Sequence, residues 1–432
     1  MNFSARWSNW SFVSAIAALL LLFRFWDKSN VLRFANPDSN YTSHALPIFV
    51  LSTLIIGTLL KYFRAPKDWL LWGGTVFTNF ILFGWVGGCA VLILPYLWAA
   101  ILWVTPRLPI RLSILAIFLA LGMHFRELGQ YSLSFWWLFS QWLRALALAF
   151  EWKRVALSRR EWLLVPVYFS APAFLLSPIP MEWLGYRYFR NAVYQTSEKS
   201  TNFGAGLLWW SIGLLCLSQI MAPHFSWAYD LQGLNQVEHQ GWFHLEAGWV
   251  FLVFRLFQYC SLTALVAGAW QFMGFPLRYD FNLPLVSQEP LEFWRRYHNY
   301  AQEFLAANIF YPVAFRCARH VSWQWSIGIA GVFVALLIWA VHALSVVPIA
   351  NVPFSTTYTL TGSLWHTVFS GLLILLGRAW LEATETIPWR GLKRALRIGL
   401  TGIFLGWLFF NSYFQLWANF SPLLFFQSIF SF

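Results

Sequence analysis

The chain has 432 residues, of which 59% are hydrophobic and only 11% are charged. A soluble domain carries roughly 25% charged residues, so this composition excludes a soluble globule and predicts an all-α polytopic membrane protein. The 29 Trp residues fit many membrane–water crossings, because indole rings favour the headgroup level.

The net charge of +12 does not indicate nucleic-acid binding, because the basic residues form no continuous stripe. Short basic loops between apolar runs are typical of the cytoplasmic side of a membrane protein. We therefore expect a bilayer and no nucleic acid as the surroundings of the chain. The basic clusters are Lys61/Arg64/Lys67, Arg107/Arg111, Lys153 to Arg160, Arg187/Arg190, Arg295/Arg296 and Arg390 to Arg397.

Apolar stretches of roughly 20 residues predict the spans. In chain order they lie near residues 10–26, 44–63, 69–86, 87–105, 110–124, 132–150, 161–180, 203–222, 245–275, 322–348, 355–381 and 396–419. The first is interpreted as a retained span, because no small-residue cleavage site follows it. Four prolines interrupt 161–180, which predicts a broken helix. Residues 1–432 are thus predicted to form one membrane-embedded domain of about ten to twelve transmembrane or re-entrant helices.

Two long stretches without Lys or Arg, 200–254 and 320–377, predict the orientation of the chain. The loops within them, near 223–243 and 344–354, should face away from the cytoplasm. The segment around Arg295 and Arg296 should then lie on the cytoplasmic side.

His366 lies near the middle of the predicted span 355–381. At 1.5 Å per residue it is about 16–18 Å from Ser355 and from Arg378, near the midplane of the hydrocarbon layer. An ionisable side chain at that depth is costly and is a functional candidate. The alternative is a packing histidine that bonds to a backbone carbonyl or to Thr367.

A second histidine, His298, belongs to an amphipathic helix predicted over 289–305. Arg295 and Arg296 lie on its polar side, and Pro290 suits its first turn. We expect this helix at the cytoplasmic interface, and the alternative is a snorkelling helix whose histidine is incidental. His298 shares a helical stripe with Leu291, Trp294, Ala301 and Leu305.

Metal ligation is not predicted from the remaining polar residues. His239 and His244 are five residues apart and do not share a helix face, and H-E-x-x-H is absent. The four cysteines include no C-x-x-C pair, so neither a disulfide framework nor a zinc module is expected.

Three segments together resemble the membrane-bound O-acyltransferase (MBOAT) family. They are Gly274-Phe-Pro-Leu-Arg-Tyr-Asp-Phe-Asn-Leu-Pro284, Phe293-Trp-Arg-Arg-Tyr-His298 and Leu364-Trp-His366. The chain looks most similar, over about 255–380, to the bacterial branch that O-acetylates exopolysaccharides such as alginate or attaches D-alanine to teichoic acids. The resemblance implies an MBOAT-like helix bundle around a central pore in the bacterial cytoplasmic (inner) membrane.

The same resemblance implies the chemistry. An acyl group, acetyl as the first expectation, would move from a cytoplasmic thioester, acyl-CoA or an acyl carrier, to hydroxyls of a cell-surface or extracellular glycan. His366 would be the base, and His298 would support the donor or polarise its carbonyl. No bound cofactor is implied, but an extracytoplasmic partner that completes the transfer is. The residues expected to support this site are Asp280, Asn282, Trp294 and Trp365.

Several alternatives stay open at this point. Arg295 and Arg296 either hold donor phosphates or anchor their helix to anionic headgroups. Asp280 and Asn282 either orient His298 or form turn hydrogen bonds. Ala264 stands where many relatives carry Asp and Thr367 where they carry Gly, so a non-catalytic scaffold is the main rival function. D-alanyl transfer is another, and a transporter is less favoured because no internal repeat is present.

Overall fold

The computed structural model describes residues 67–105, 107–127, 133–151, 161–170, 184–195, 198–221, 243–297, 299–346, 377 and 379–417, with a few isolated positions before residue 61. Throughout these ranges the regular elements are helical and none is a strand, which confirms the all-α prediction. Within the same ranges, no helix combines the length and the apolar character needed to cross a membrane.

The chain groups into two compact units. The first comprises Met1–Leu215 and Tyr259–Asp280, and the second comprises Cys216–Gln258 and Phe281–Phe432. Two long helices each contribute residues to both units. They are α6 (Glu198–Met221) and α7 (Phe243–Phe272), and they match the predicted stretches 203–222 and 245–275.

The other described helices of the first unit match the predicted boundaries closely over residues 67–151, and one short helix is an addition. They are α1 (Lys67–Val104), α2 (Leu108–Glu127), α3 (Leu133–Glu151), α4 (Glu161–Ser170) and α5 (Tyr186–Tyr194). The predicted stretches 10–26 and 44–63, apart from isolated positions, and the second half of 161–180 lie outside the described residues. The predicted stretches 69–86 and 87–105 follow one another without a loop in α1. The two parts meet at a kink at Gly84 (φ 65°, ψ −171°), a backbone conformation that glycine accommodates. The short helix α5 was not predicted, because nine largely polar and aromatic residues are too few for a span.

The end of α4 is held by buried polar side chains from two other helices. Pro172 has no N–H to offer the carbonyl of Tyr168 four residues before it, so that carbonyl needs another donor. Arg144 on α3, fully buried, donates to it. Asn79 on α1 donates to the carbonyl of Ser170 at 3.0 Å, and Gln141 donates to the Ser170 hydroxyl at 2.7 Å. The described end of α4 is thereby satisfied inside protein, and the predicted break after it lies outside the described residues.

Helices α6 and α7 approach closely at two glycines in the first unit. A Cβ built on Gly204 would lie 2.7 Å from the carbonyl oxygen of Gly268, closer than real Cβ contacts. Farther along, Ser211 donates to the carbonyl of Ser261 at 2.8 Å. Small residues that let two backbones approach are typical of tightly packed helix pairs.

Replacing Gly204 with alanine should therefore destabilise the first unit. The new methyl group meets backbone atoms, which cannot rotate away, and overpacking of this kind costs about 1–3 kcal/mol. Gly206 is the matched control, because no described heavy atom lies within 4 Å of its ideal Cβ. Gly206→Ala should raise stability by about 0.5–1 kcal/mol through helix propensity. Thermal unfolding of both variants in detergent tests the pair, and equal shifts would refute the close approach.

Among its described residues after Asp280, the second unit contains a run of short helices followed by two long ones. They are α8 (Pro290–Tyr297), α9 (Asn299–Leu305), a π-helical turn Ala306–Phe310, α10 (Tyr311–Cys317), α11 (Trp323–Val346) and α12 (Arg390–Trp417). Two 3-10 turns, Pro284–Val286 and Thr384–Thr386, precede α8 and α12. The predicted span 355–381 lies outside the described residues except at its last positions.

The helix predicted over 289–305 is confirmed at its described residues. Leu305 of the predicted stripe is buried, but the other buried side chains lie one position before the predicted ones. The buried aromatic side chains recur at 4-, 3- and 4-residue spacing, whereas Leu291, Trp294 and Ala301 are half-buried. The buried aromatic stripe consists of Phe293, Tyr297, Tyr300 and Phe304.

The start of α12 is tied to the preceding turn by Arg397. Its guanidinium donates to the carbonyl of Leu381 at 2.8 Å, to the Thr384 hydroxyl at 2.6 Å and to the Glu385 carboxylate at 2.7 Å. Hydrogen bonds from Arg397 and Lys393 lower the pKa of the Glu385 carboxyl below its ordinary value. The ion pair between Arg397 and Glu385 is therefore present at neutral pH and is lost as the pH falls through that lowered pKa, whereas the bonds to Leu381 and Thr384 do not depend on the carboxylate.

Candidate functional site

The Gly274-Phe275 pair of the family-like motif ends helix α7. Gly274 has φ +93°, a left-handed conformation that favours glycine. Its N–H bonds to the carbonyl of Gln271 at 2.9 Å, and the N–H of Phe275 bonds to that of Trp270 at 3.0 Å. The rings of Phe275 and Trp270 pack with centroids 5.6 Å apart. This is a Schellman cap with its hydrophobic contact, so the first motif residues have a structural role.

The segment after this cap folds back along α7 within the first unit. The side chain of Gln271 donates to the carbonyl of Leu277 at 2.6 Å, and the Tyr279 hydroxyl donates to the carbonyl of Cys260 at 3.1 Å. Burial raises the pKa of the Tyr279 hydroxyl well above its ordinary value, so it remains a donor at physiological pH. Asp280 ends this segment and is fully buried. Ala264, one turn after Cys260 on α7, is fully buried too.

Asn282 and Arg296 are joined in the second unit. The N–H of Asn282 donates to the carbonyl of Arg296 at 2.8 Å, and the Arg296 guanidinium donates to the carbonyl of Asn282 at 3.2 Å. Glu292 completes the arrangement, because its carboxylate accepts from Arg296 at 2.7 Å and from the N–H of Gln288 at 2.8 Å. The observed hydrogen bonds of Asn282 are made by its backbone and reach a residue 14 positions along the chain, so they are not turn bonds.

Arg295 is placed differently from its neighbour. It is exposed, and no described residue forms a hydrogen bond or an ion pair with it. Trp294 beside it is half-buried, with its ring 5.5 Å from Phe293 and 5.7 Å from Tyr297. The two arginines therefore have different roles. Arg296 links α8 to the segment before it, whereas the guanidinium of Arg295 is exposed. An exposed guanidinium fits a phosphate or carboxylate group.

The first turn of α8 is packed against Gly377. A Cβ built on Gly377 would lie 3.1 Å from Cγ of Pro290 and closer still to its Cδ. Gly377 is buried and helical, and it falls within the predicted span 355–381. Only glycine permits this approach, so the contact defines how the end of that span meets the start of α8.

Three predicted site residues, His298, His366 and Trp365, lie outside the described residues. Of the other five, the structure brings together Asn282 and Arg296. It places Trp294 in the aromatic packing of α8, Arg295 at the surface and Asp280 in the first unit. No family model matches this chain, and no curated protein matches its sequence.

Two residues of this region were not predicted from the sequence. Glu292 was noted only as polar, although its spacing of four from Arg296 is the signal for a helical ion pair. Gly377 had no signal, because a glycine in an apolar run does not reveal which partner approaches it.

Proposed function

We propose that this chain is a polytopic membrane O-acyltransferase that moves an acyl group from a cytoplasmic thioester to hydroxyls of an extracytoplasmic glycan. Its composition and basic loops support the membrane setting. So do large apolar side chains on the surface of the described helices, which would be costly in water and are suited to lipid. Examples are Trp85, Trp103, Phe203 and Ile220, which are exposed by 81%, 70%, 70% and 69%.

The close approach of Gly377 to Pro290 carries the proposal. It joins the span predicted to bear His366 to the helix that leads into His298. In sequence, His366 lies 11 residues before Gly377, and His298 lies 8 residues after Pro290. This closeness in sequence to one shared contact supports a common reaction site.

In the proposed reaction, neutral His366 takes the proton of the acceptor hydroxyl as that oxygen attacks the thioester carbonyl. The carbon–sulfur bond breaks, the thiol leaves with a proton, and the acyl ester forms. His298 polarises the thioester carbonyl. Arg295 binds donor phosphate, whereas Arg296 positions α8 through Glu292 and Asn282.

Incubation of the purified, reconstituted protein with labelled acyl-CoA and a hydroxyl acceptor tests the function. Label in the acceptor, or release of the free thiol, supports the enzyme. Absence of both with retained glycan binding would instead favour the scaffold. Label release that requires an acyl carrier rather than acyl-CoA would identify the donor class.

Replacing each arginine with alanine should affect a different property, KM for Arg295 and thermal stability for Arg296. Arg295→Ala should leave thermal stability within about 0.5 kcal/mol, because it has no described partner to lose. It should raise KM for acyl-CoA about tenfold or more, since a charge-assisted hydrogen bond to phosphate is lost. Arg296→Ala should instead lower stability by about 1 kcal/mol, through the lost bonds to Glu292 and Asn282.

Thermal unfolding and steady-state kinetics on the same samples separate the two effects. An Arg295→Ala enzyme with unchanged KM but weakened association with anionic lipid would assign this side chain to headgroup anchoring. Loss of stability in Arg295→Ala would contradict its exposed position.

A further inference from the structure

An exposed ladder of aromatic rings lies at the turn between α10 and α11 in the second unit. The rings of Tyr311 and Phe315 stack with centroids 6.1 Å apart, and the ring of Phe315 lies 5.8 Å from that of Trp323. These side chains are exposed by 50%, 61% and 48%. Contiguous apolar surface of this kind marks an interaction site more often than scattered exposed residues do.

Basic side chains accompany the ladder. Arg316, Arg319 and His320 are all exposed, in the last turn of α10 and the residues that follow it. The sequence contains no Asp or Glu between Glu303 and Glu382. Neither arginine pairs with a carboxylate of any described residue. A helix end favours a nearby cation, but the dipole acts within one turn and does not account for the adjoining rings.

We propose that this aromatic–basic turn, residues 311–323, binds the headgroups of anionic phospholipids. Guanidinium groups match phosphate oxygens, and aromatic rings suit the boundary between headgroups and acyl chains. Exposed apolar side chains continue from the turn onto α11, at Trp325 (72%) and Val332 (59%). A soluble acidic partner would satisfy the cations but would leave that continuing apolar surface in water.

The inference rests on the membrane setting of the proposed function and not on acyl transfer. The turn belongs to a part of the chain predicted to be cytoplasmic, where anionic lipids give the leaflet a negative surface potential. Binding should therefore weaken as salt is raised.

Site-specific photo-cross-linking of the full chain tests the proposal. Val321, 41% exposed at the turn, is replaced by p-benzoylphenylalanine. The protein is reconstituted in phosphatidylcholine vesicles with or without phosphatidylglycerol. We expect cross-links to phosphatidylglycerol in excess of its share of the lipid. Arg316→Gln together with Arg319→Gln should lower that yield about tenfold or more.

The control is Arg390→Gln together with Arg394→Gln, which removes two exposed arginines elsewhere in the same unit and should leave the yield unchanged. Equal yields for both lipids would overturn the proposal. Displacement by inorganic phosphate, beyond a chloride control of equal ionic strength, would also overturn it and identify a free-phosphate site. A protein adduct instead of a lipid adduct in native membranes would assign the turn to an acidic partner.

Flotation of the same sample distinguishes a failure of this inference from a failure of the proposed membrane setting. Protein that fails to float with vesicles of any composition overturns both. Protein that floats but shows no lipid preference overturns only the lipid-binding turn, and acyl transfer is then tested independently.

Discussion

His366→Ala should lower the rate of acyl transfer by about 10²–10⁴-fold without preventing membrane insertion. A hydroxyl is a weak nucleophile, and a positioned base contributes about that factor. The residual rate should fall below detection in a labelled acyl-CoA assay. Flotation with vesicles and thermal unfolding of the variant, measured in parallel, show whether the protein itself is intact.

His342→Ala is the matched control, because it removes a histidine predicted at a span end rather than at mid-membrane. It should leave transfer unchanged. The wild-type rate should fall in acid, because a protonated imidazole cannot accept the acceptor's proton. Unchanged glycan acylation in His366→Ala would refute the assignment of this residue as the base.

Gly377→Leu should reduce transfer nearly as severely by a different route. The side chain must displace the rigid ring of Pro290 and with it the start of α8. A displacement of about 1 Å at a reaction site can cost about 10²-fold in rate, and overpacking costs about 1–3 kcal/mol in stability. The rate is read as kcat/KM for acyl-CoA, and stability as the Tm in detergent.

Gly399→Leu in α12 is the control for this variant. No described heavy atom lies within 4 Å of its ideal Cβ, and leucine is the better helix former. It should keep full activity with equal or higher Tm. Equal activity of Gly377→Leu and Gly399→Leu would contradict the role of the Gly377 contact in the site.

Helix positions were predictable from the sequence because long apolar runs have few structural alternatives. The predicted stretches 110–124 and 132–150 correspond to α2 and α3, within a few residues at each end. The buried side chains of the second unit were harder to predict. For α8 and α9 the amphipathic period was evident, but it did not predict that most buried side chains lie one position earlier, with Trp294 only half-buried.

Arg295 and Arg296 make different contacts, and a sequence pattern cannot predict that difference. Both are adjacent arginines on the polar side of one helix, and the sequence gives them the same alternatives. Only Arg296 has Glu292 one turn before it and the carbonyl of Asn282 within reach. Because Arg296 is bonded to these partners, Arg295 is the one of the two arginines that is exposed.

By itself, the sequence determined that the chain is helical and apolar, and it singled out the motif residues from Gly274 to His298 and the second histidine, His366. Backbone hydrogen bonding in an apolar chain leaves helices as the simplest solution, so composition was sufficient for that conclusion. Tertiary structure alone decided that Gly274 and Phe275 form a helix cap, that Arg296 is a tie, and that Gly377 meets Pro290. These roles depend on distances between residues far apart in the chain, and no local pattern encodes those distances.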